Sequence, residues 1–113
     1  MIVADLRAAW WAVRALRAAR HGLRSGPIRD VAVPGPPSLR REAIRGVNAV
    51  LRLGRPSCLE RSLVLQRWLA AHSVRRDVVI GVTPRADFKA HAWLDGEPVP
   101  DSPRFEELLR LSP

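Results

Sequence analysis

The stretch GRPSCLERSLVLQRWL, residues 54–69, decides how the rest of the chain is read. Gly54 and Pro56 interrupt whatever helix precedes them, and Ser57-Cys58-Leu59-Glu60 has the form of a capping box. Ser57 caps a new helix while Glu60, three positions on, reaches back to the cap's own amide. Cys58, the only cysteine of the chain, therefore opens a helix predicted to run to about Ala71. Leu59, Leu63, Val64, Leu65, Trp68 and Leu69 make that helix apolar around most of its girth, the pattern of a buried element. At its first position, unpaired amides and the positive end of the helix dipole favour a thiolate over a thiol. The backbone amide of Cys58 is also placed to steady an oxyanion forming beside the sulfur. Free cysteines commonly do nothing more than fill space, so the position acquires chemical meaning only if a partner exists.

That partner is sought downstream. Asp77 to Thr83 (DVVIGVT) is β-branched and strand-like, and Phe88 to Leu94 is a second predicted strand carrying His91. A nucleophilic thiolate needs a base to take its proton and return it to the leaving amine, and a third group to orient that base. Asp95-Gly96 is a turn signal after which a short third strand, Glu97 to Asp101, is expected to fold back. Asp95 and Asp101 are both candidate orienters. A two-residue loop pairs Leu94 with Glu97 and turns Asp101 away from His91. A three-residue loop with Gly96 left-handed pairs His91 with Val99 and sets Asp101 diagonally across from His91, within reach. Pro98 and Pro100 suit an edge strand, and Asp95 reads as a turn residue, so Asp101 is favoured.

Upstream, residues 3–24 read as a helix rich in Ala and Arg, with Leu6, Trp10, Val13, Leu16 and Leu23 as its apolar stripe. Residues 25–37 are rich in Pro and Gly and read as an extended linker with a short strand at Ile28 to Val33. Ser38 is expected to cap a second helix bearing Ile44, Val47 and Leu51. Ser102-Pro103 is expected to open a last helix to Leu111. The resulting class is α+β: N-terminal helices and a central Cys-bearing helix packed on a three-stranded antiparallel sheet. Residues 1–37 form a basic amphipathic helix and linker, residues 38–113 the core, in one compact domain.

Cys58-Leu59-Glu60-Arg61-Ser62-Leu63, the Val78-Val79-Ile80-Gly81-Val82 strand, Ala90-His91-Ala92-Trp93-Leu94 and Asp101 together resemble the transglutaminase-like cysteine peptidases of lasso-peptide biosynthesis. The resemblance covers roughly residues 40–105. It implies that Cys58 is the nucleophile, His91 the general base and acid, and Asp101 the orienter of a leader peptidase acting through an acyl-enzyme. It further implies three partners: the leader region of a ribosomally made precursor, a separate leader-recognition protein, and a cyclase that closes the ring afterwards. No cofactor is implied. Within the broader superfamily the same triad transfers the acyl group to an amine instead of water.

Charge and composition frame the competing class. The formal charge is +8, and residues 1–57 carry 11 Arg against 3 acids whereas residues 58–113 carry 8 basic and 8 acidic groups. An Arg-rich helix with Trp10 and Trp11 offers a basic nucleic-acid-binding or interaction protein with a structural cysteine as the alternative. No nucleic-acid motif accompanies it, and the chain has no Tyr and only two Phe for stacking. The surplus Arg reads either as a solvated face or as a dock for an acidic partner such as the leader. A single Cys excludes a disulfide framework and a structural zinc site, and accords with a reducing, cytoplasmic setting. Gly54-Arg55-Pro56-Ser57 lacks the Lys of a phosphate loop. Neither a secretory signal nor stable membrane insertion is expected, since the apolar run from Ala8 to Val13 is too short to span a bilayer. His21 and His72 read as helix C-terminal caps, Trp93 as a residue sharing His91's face, and Ser62 as one turn along from Cys58.

Overall fold

The computed structural model describes residues 2–83, 89–98 and 105–113. Three helices, α1 (Ile2–Ser25), α2 (Ile44–Gly54) and α3 (Cys58–Ala71), pack on one sheet of β1 (Val78–Val82), β2 (Ala90–Leu94) and β3 (Glu106–Leu111). The strands are antiparallel in the order β2-β1-β3. The α+β class expected from the sequence is the observed one.

α3 is the central element, with α1 on one side and β1 and β2 on the other. Its apolar girth explains that position: Leu63, Val64, Leu65 and Trp68 are all buried, and Trp68 packs its ring on Trp11 of α1. The sheet presents Val78, Ala92 and Leu94 to the helices. The alternate residues His91 and Trp93 fall on its other face, as period-two alternation requires.

α1 extends as predicted, but its buried face is only partly the predicted stripe. Leu16 is buried and Leu23 packs against the core as expected, whereas Leu6 and Trp10 are exposed and the rest of the core face is Ala8, Trp11, Ala12, Ala15 and Ala19. The reason is distance between backbones: small residues let α1 and α2 approach so closely that Gly46 has no room for a side chain. A face of alanines buries little area per residue, yet it admits a neighbour that leucines would hold off.

Three boundaries also differ. Ile28–Asp30 is a single 3₁₀ turn and not a strand, closed by Asp30 N–H to Pro27 O at 3.0 Å. Ser38 caps nothing; a 3₁₀ turn at Arg41–Ala43 leads into α2, whose cap position is Ala43. The segment around Ser38 is held extended from both sides, because Trp11 Nε1 donates to Pro34 O at 2.9 Å and His72 Nε2 lies 3.0 Å from Leu39 O. The third difference concerns the C-terminus. The predicted last helix is strand β3 over Glu106–Leu111, and among the described residues this is the third strand of the sheet. Glu97 and Pro98 lie outside any strand, and Val99 to Asp101 fall outside the described residues. Glu, Leu and Arg favour a helix locally, but β1 has a second edge whose amides and carbonyls need partners. The pairing carries a bulge at Ile80/Gly81, which leaves Leu108 as the extra residue, 68% exposed.

Candidate active site

Cys58 stands at the first position of α3, and the capping box beneath it is formed in full. Ser57 Oγ accepts from Glu60 N–H at 3.1 Å, and Glu60 Oε1 accepts from Ser57 N–H at 2.9 Å. Glu60 is anchored further by Arg20 of α1, whose Nε lies 3.2 Å from the same oxygen while its Nη2 donates to Gly54 O at 2.7 Å. The turn bearing the thiol is thereby tied to both the preceding helix and α1.

On the sheet side, β2 is an edge strand among the described residues, and the amides of Ala92 and Leu94 point away from β1. Cys58 Sγ takes the first, accepting from Ala92 N–H at 3.3 Å. Glu97 takes the second, its Oε1 accepting from Leu94 N–H at 3.0 Å. The sulfur therefore sits against the peptide that joins His91 to Ala92. Covalent geometry then keeps it within about 6 Å of the His91 Cα. Among the described residues the thiol's hydrogen bond goes to this amide and not to the imidazole. The half-buried sulfur faces two positive dipole ends, the open amides of α3 and the Ala92 N–H.

His91 is held by aromatic neighbours. Its ring stacks on Trp93, with centroids 5.8 Å apart and an interplanar angle of 22°, and lies 5.6 Å from Phe105. Trp93 thus shares His91's face as its spacing predicts. Phe105 was not legible, because it arrives from the β3 end of the chain. Gly81, opposite His91 on β1, explains how the aromatics lie so flat: a Cβ there would come within 2.8 Å of the Trp93 ring.

The carboxylates separate into three cases. Asp101 lies outside the described residues. Asp95 is an exposed turn residue whose carboxylate is 3.0 Å from Arg110, and its carbonyl accepts from Arg76 at 2.9 Å. Gly96 adopts φ +95° to close that turn, with Glu97 N–H donating to Leu94 O. Glu97 is the residue that sequence reading missed. Arg61, one turn along α3 from Cys58, grips it through Nη1 at 3.4 Å and Nη2 at 3.1 Å. Burial pushes the Glu97 carboxyl up, but the Arg61 hydrogen bonds and charge, the Leu94 amide and nearby His91 together hold it below its ordinary value. The Arg61–Glu97 pair therefore clamps the N-terminal turn of α3 to the strand that carries His91. The only signal in the sequence was an Arg three residues after the cysteine, which has no meaning until the fold supplies Glu97.

The remaining candidates sort by burial. Ser62 is fully buried, and its Oγ has no hydrogen-bond partner among the described residues. His72 is the C-cap of α3 and lies between two carbonyls, Trp68 O at 2.8 Å and Leu39 O at 3.0 Å. Among the described residues no group of three His, Cys, Asp or Glu side chains is arranged to hold a metal ion, and no helix is long and apolar enough to cross a membrane.

These features define a small α+β domain with a thiol at the N-terminus of its central helix, set against a histidine-bearing edge strand. The chain belongs to the transglutaminase-like superfamily, whose profile matches residues 1–110, a group typified by cysteine peptidases and acyl transferases. No curated protein and no solved structure matches the chain significantly.

Proposed function

We propose that this protein is the stand-alone leader peptidase of a lasso-peptide system. Cys58 Sγ attacks the carbonyl at the junction between leader and core, forming the S–C bond as its proton passes to His91. The tetrahedral oxyanion is met by the Cys58 amide at the head of α3. Collapse breaks the C–N bond, His91 delivers the proton to the departing amine, and water, deprotonated by the same imidazole, hydrolyses the thioester. Asp101 orients the imidazole. The partners are the precursor's leader, a separate recognition protein that presents it, and a cyclase acting on the released core; the setting is cytoplasmic and no cofactor takes part.

The observation that carries the catalytic part of this reading is the 3.3 Å contact between Cys58 Sγ and the amide following His91. The lasso assignment rests on the resemblance of Cys58–Leu63, Val78–Val82 and Ala90–Leu94 to that group of peptidases. Incubating precursor with wild type and with Cys58→Ala, in the presence of the recognition protein, tests both parts. Mass spectrometry should find free leader and core with wild type and neither with the variant; continued cutting by the variant refutes the nucleophile. A product joined to an added amine in place of a free carboxylate would assign acyl transfer instead of hydrolysis.

A further inference from the structure

The outer face of α1 has no role in the chemistry above. Ile2, Val3, Leu6 and Trp10 are between 64% and 74% exposed and fall on one side of the helix, opposite the alanines in the core. Such a run of large apolar side chains on the surface marks an interaction site more often than scattered single ones do. Beside it lies a groove of about 510 Å³, walled by Leu6 and Trp10 on the helix and by Pro34 to Pro37 on the other side. Arg7 and Arg14, both exposed, line the same groove one helical flank away. The far wall is built in place. Trp11 Nε1 holds Pro34 O at 2.9 Å, and the guanidinium of Arg67 from α3 lies against Gly35.

From this we infer that the groove between α1 and the Pro34–Pro37 segment docks an acidic peptide segment, with an apolar side chain set against Leu6 and Trp10 and carboxylates paired to Arg7 and Arg14. Charge selects the occupant. Residues 1–57 carry 11 Arg and only Asp5, Asp30 and Glu42 as acids, and none of those three lines the groove. A peptide carboxylate therefore meets guanidinium without competition from the protein's own acids, and Arg presents a planar fork that matches it. Shape argues against the two other anionic partners. A bilayer surface cannot enter a concave cleft walled by proline, and a nucleic acid would find one exposed ring, Trp10, beside the aliphatic Ile2, Val3 and Leu6, where a strand needs successive rings to stack successive bases. The inference stands on this surface alone and does not depend on Cys58 being a nucleophile.

The test uses the full chain and a fluorescein-labelled synthetic peptide alternating Glu with Leu, followed by fluorescence anisotropy. The peptide should bind, more weakly as salt rises, and Arg7→Glu with Arg14→Glu should weaken it by at least about tenfold. Arg7→Gln with Arg14→Gln should fall between, and Trp10→Ser should weaken binding without altering the salt dependence. All these positions are exposed, so the melting curves should match wild type, and Cys58→Ala should bind as wild type does. Failure of the leader-peptidase reading would leave this result intact. Equal binding of a Lys-Leu peptide, or unchanged binding by the Arg variants, overturns the inference. So does tighter binding, abolished by the same variants, to phosphatidylglycerol-containing vesicles or to duplex DNA.

Discussion

Gly46 shows how much one residue decides here. A Cβ at this position would lie 1.9 Å from the carbonyl oxygen of Asp5 and 2.9 Å from the amide of Ala9, both in the backbone of α1. Backbone cannot swing aside as the tip of a side chain can, so Gly46→Ala must push α2 away from α1. The expected loss is about 3 kcal/mol of unfolding free energy, the upper end for overpacking, read as a shift of the urea midpoint with unchanged slope. A loss of only a few tenths would mean that the two helices separate easily. The capping box at Ser57–Glu60, by contrast, was legible at the residue scale because all its hydrogen bonds lie within four consecutive positions. Gly46 was not, since what it avoids is forty-one positions away in sequence.

At the scale of elements, the interest lies in how α3 is held to β2. Two side chains of different kinds, a thiol and a carboxylate, satisfy the amides of an edge strand that would otherwise stand open to another chain. Arg61–Glu97 fixes the spacing between the helix and that edge. Because the folded structure holds the Glu97 carboxyl below its ordinary value of 4.5, the clamp's contribution is fully present above that pH. It is lost as pH falls through the lower, folded-state value. Glu97→Gln should therefore cost about 1 kcal/mol at neutral pH, a partly exposed pair plus one backbone hydrogen bond. The gap between wild type and variant should narrow as acid is added below pH 4.5. Urea midpoints measured across that range check the sign; a gap that stays constant into acid would show that Glu97 titrates as it does in the unfolded chain. The strand of His91 was legible from its alternation, and α3 from its apolar girth. The clamp was not, since nothing in a single strand or helix says which side chain will close its free edge.

For the molecule as a whole, Gln66 is the link between layers. It is buried in α3, and its amide nitrogen donates to Arg76 O at 2.9 Å, just before β1, and to Leu111 O at 2.8 Å, at the end of β3. Gln66→Leu fills similar space but leaves both carbonyls without this donor in a part-buried interface. The expected cost is about 2 kcal/mol. It should be accompanied by faster amide exchange in β3 than in β1, whose other neighbour remains. Uniform loss of protection across the sheet would show instead that β3 and β1 open together.

The sequence by itself determined the local grammar: where α3 begins and that a thiol stands at its first position, that strands run through Val78–Val82 and Ala90–Leu94, and that helices and an antiparallel sheet share one core. Each of these follows from hydrogen bonds or periodicities confined to a few neighbouring residues. Only the tertiary structure decided which face of α1 is buried, that residues 106–111 are strand although their composition favours helix, and that Arg61 and Glu97 stand beside the thiol. In those cases the deciding partner is remote in sequence. Close backbone approach, an unpaired strand edge and a salt bridge between elements exist only once the chain has folded, and each outweighs local preferences worth a few tenths of a kcal/mol per residue.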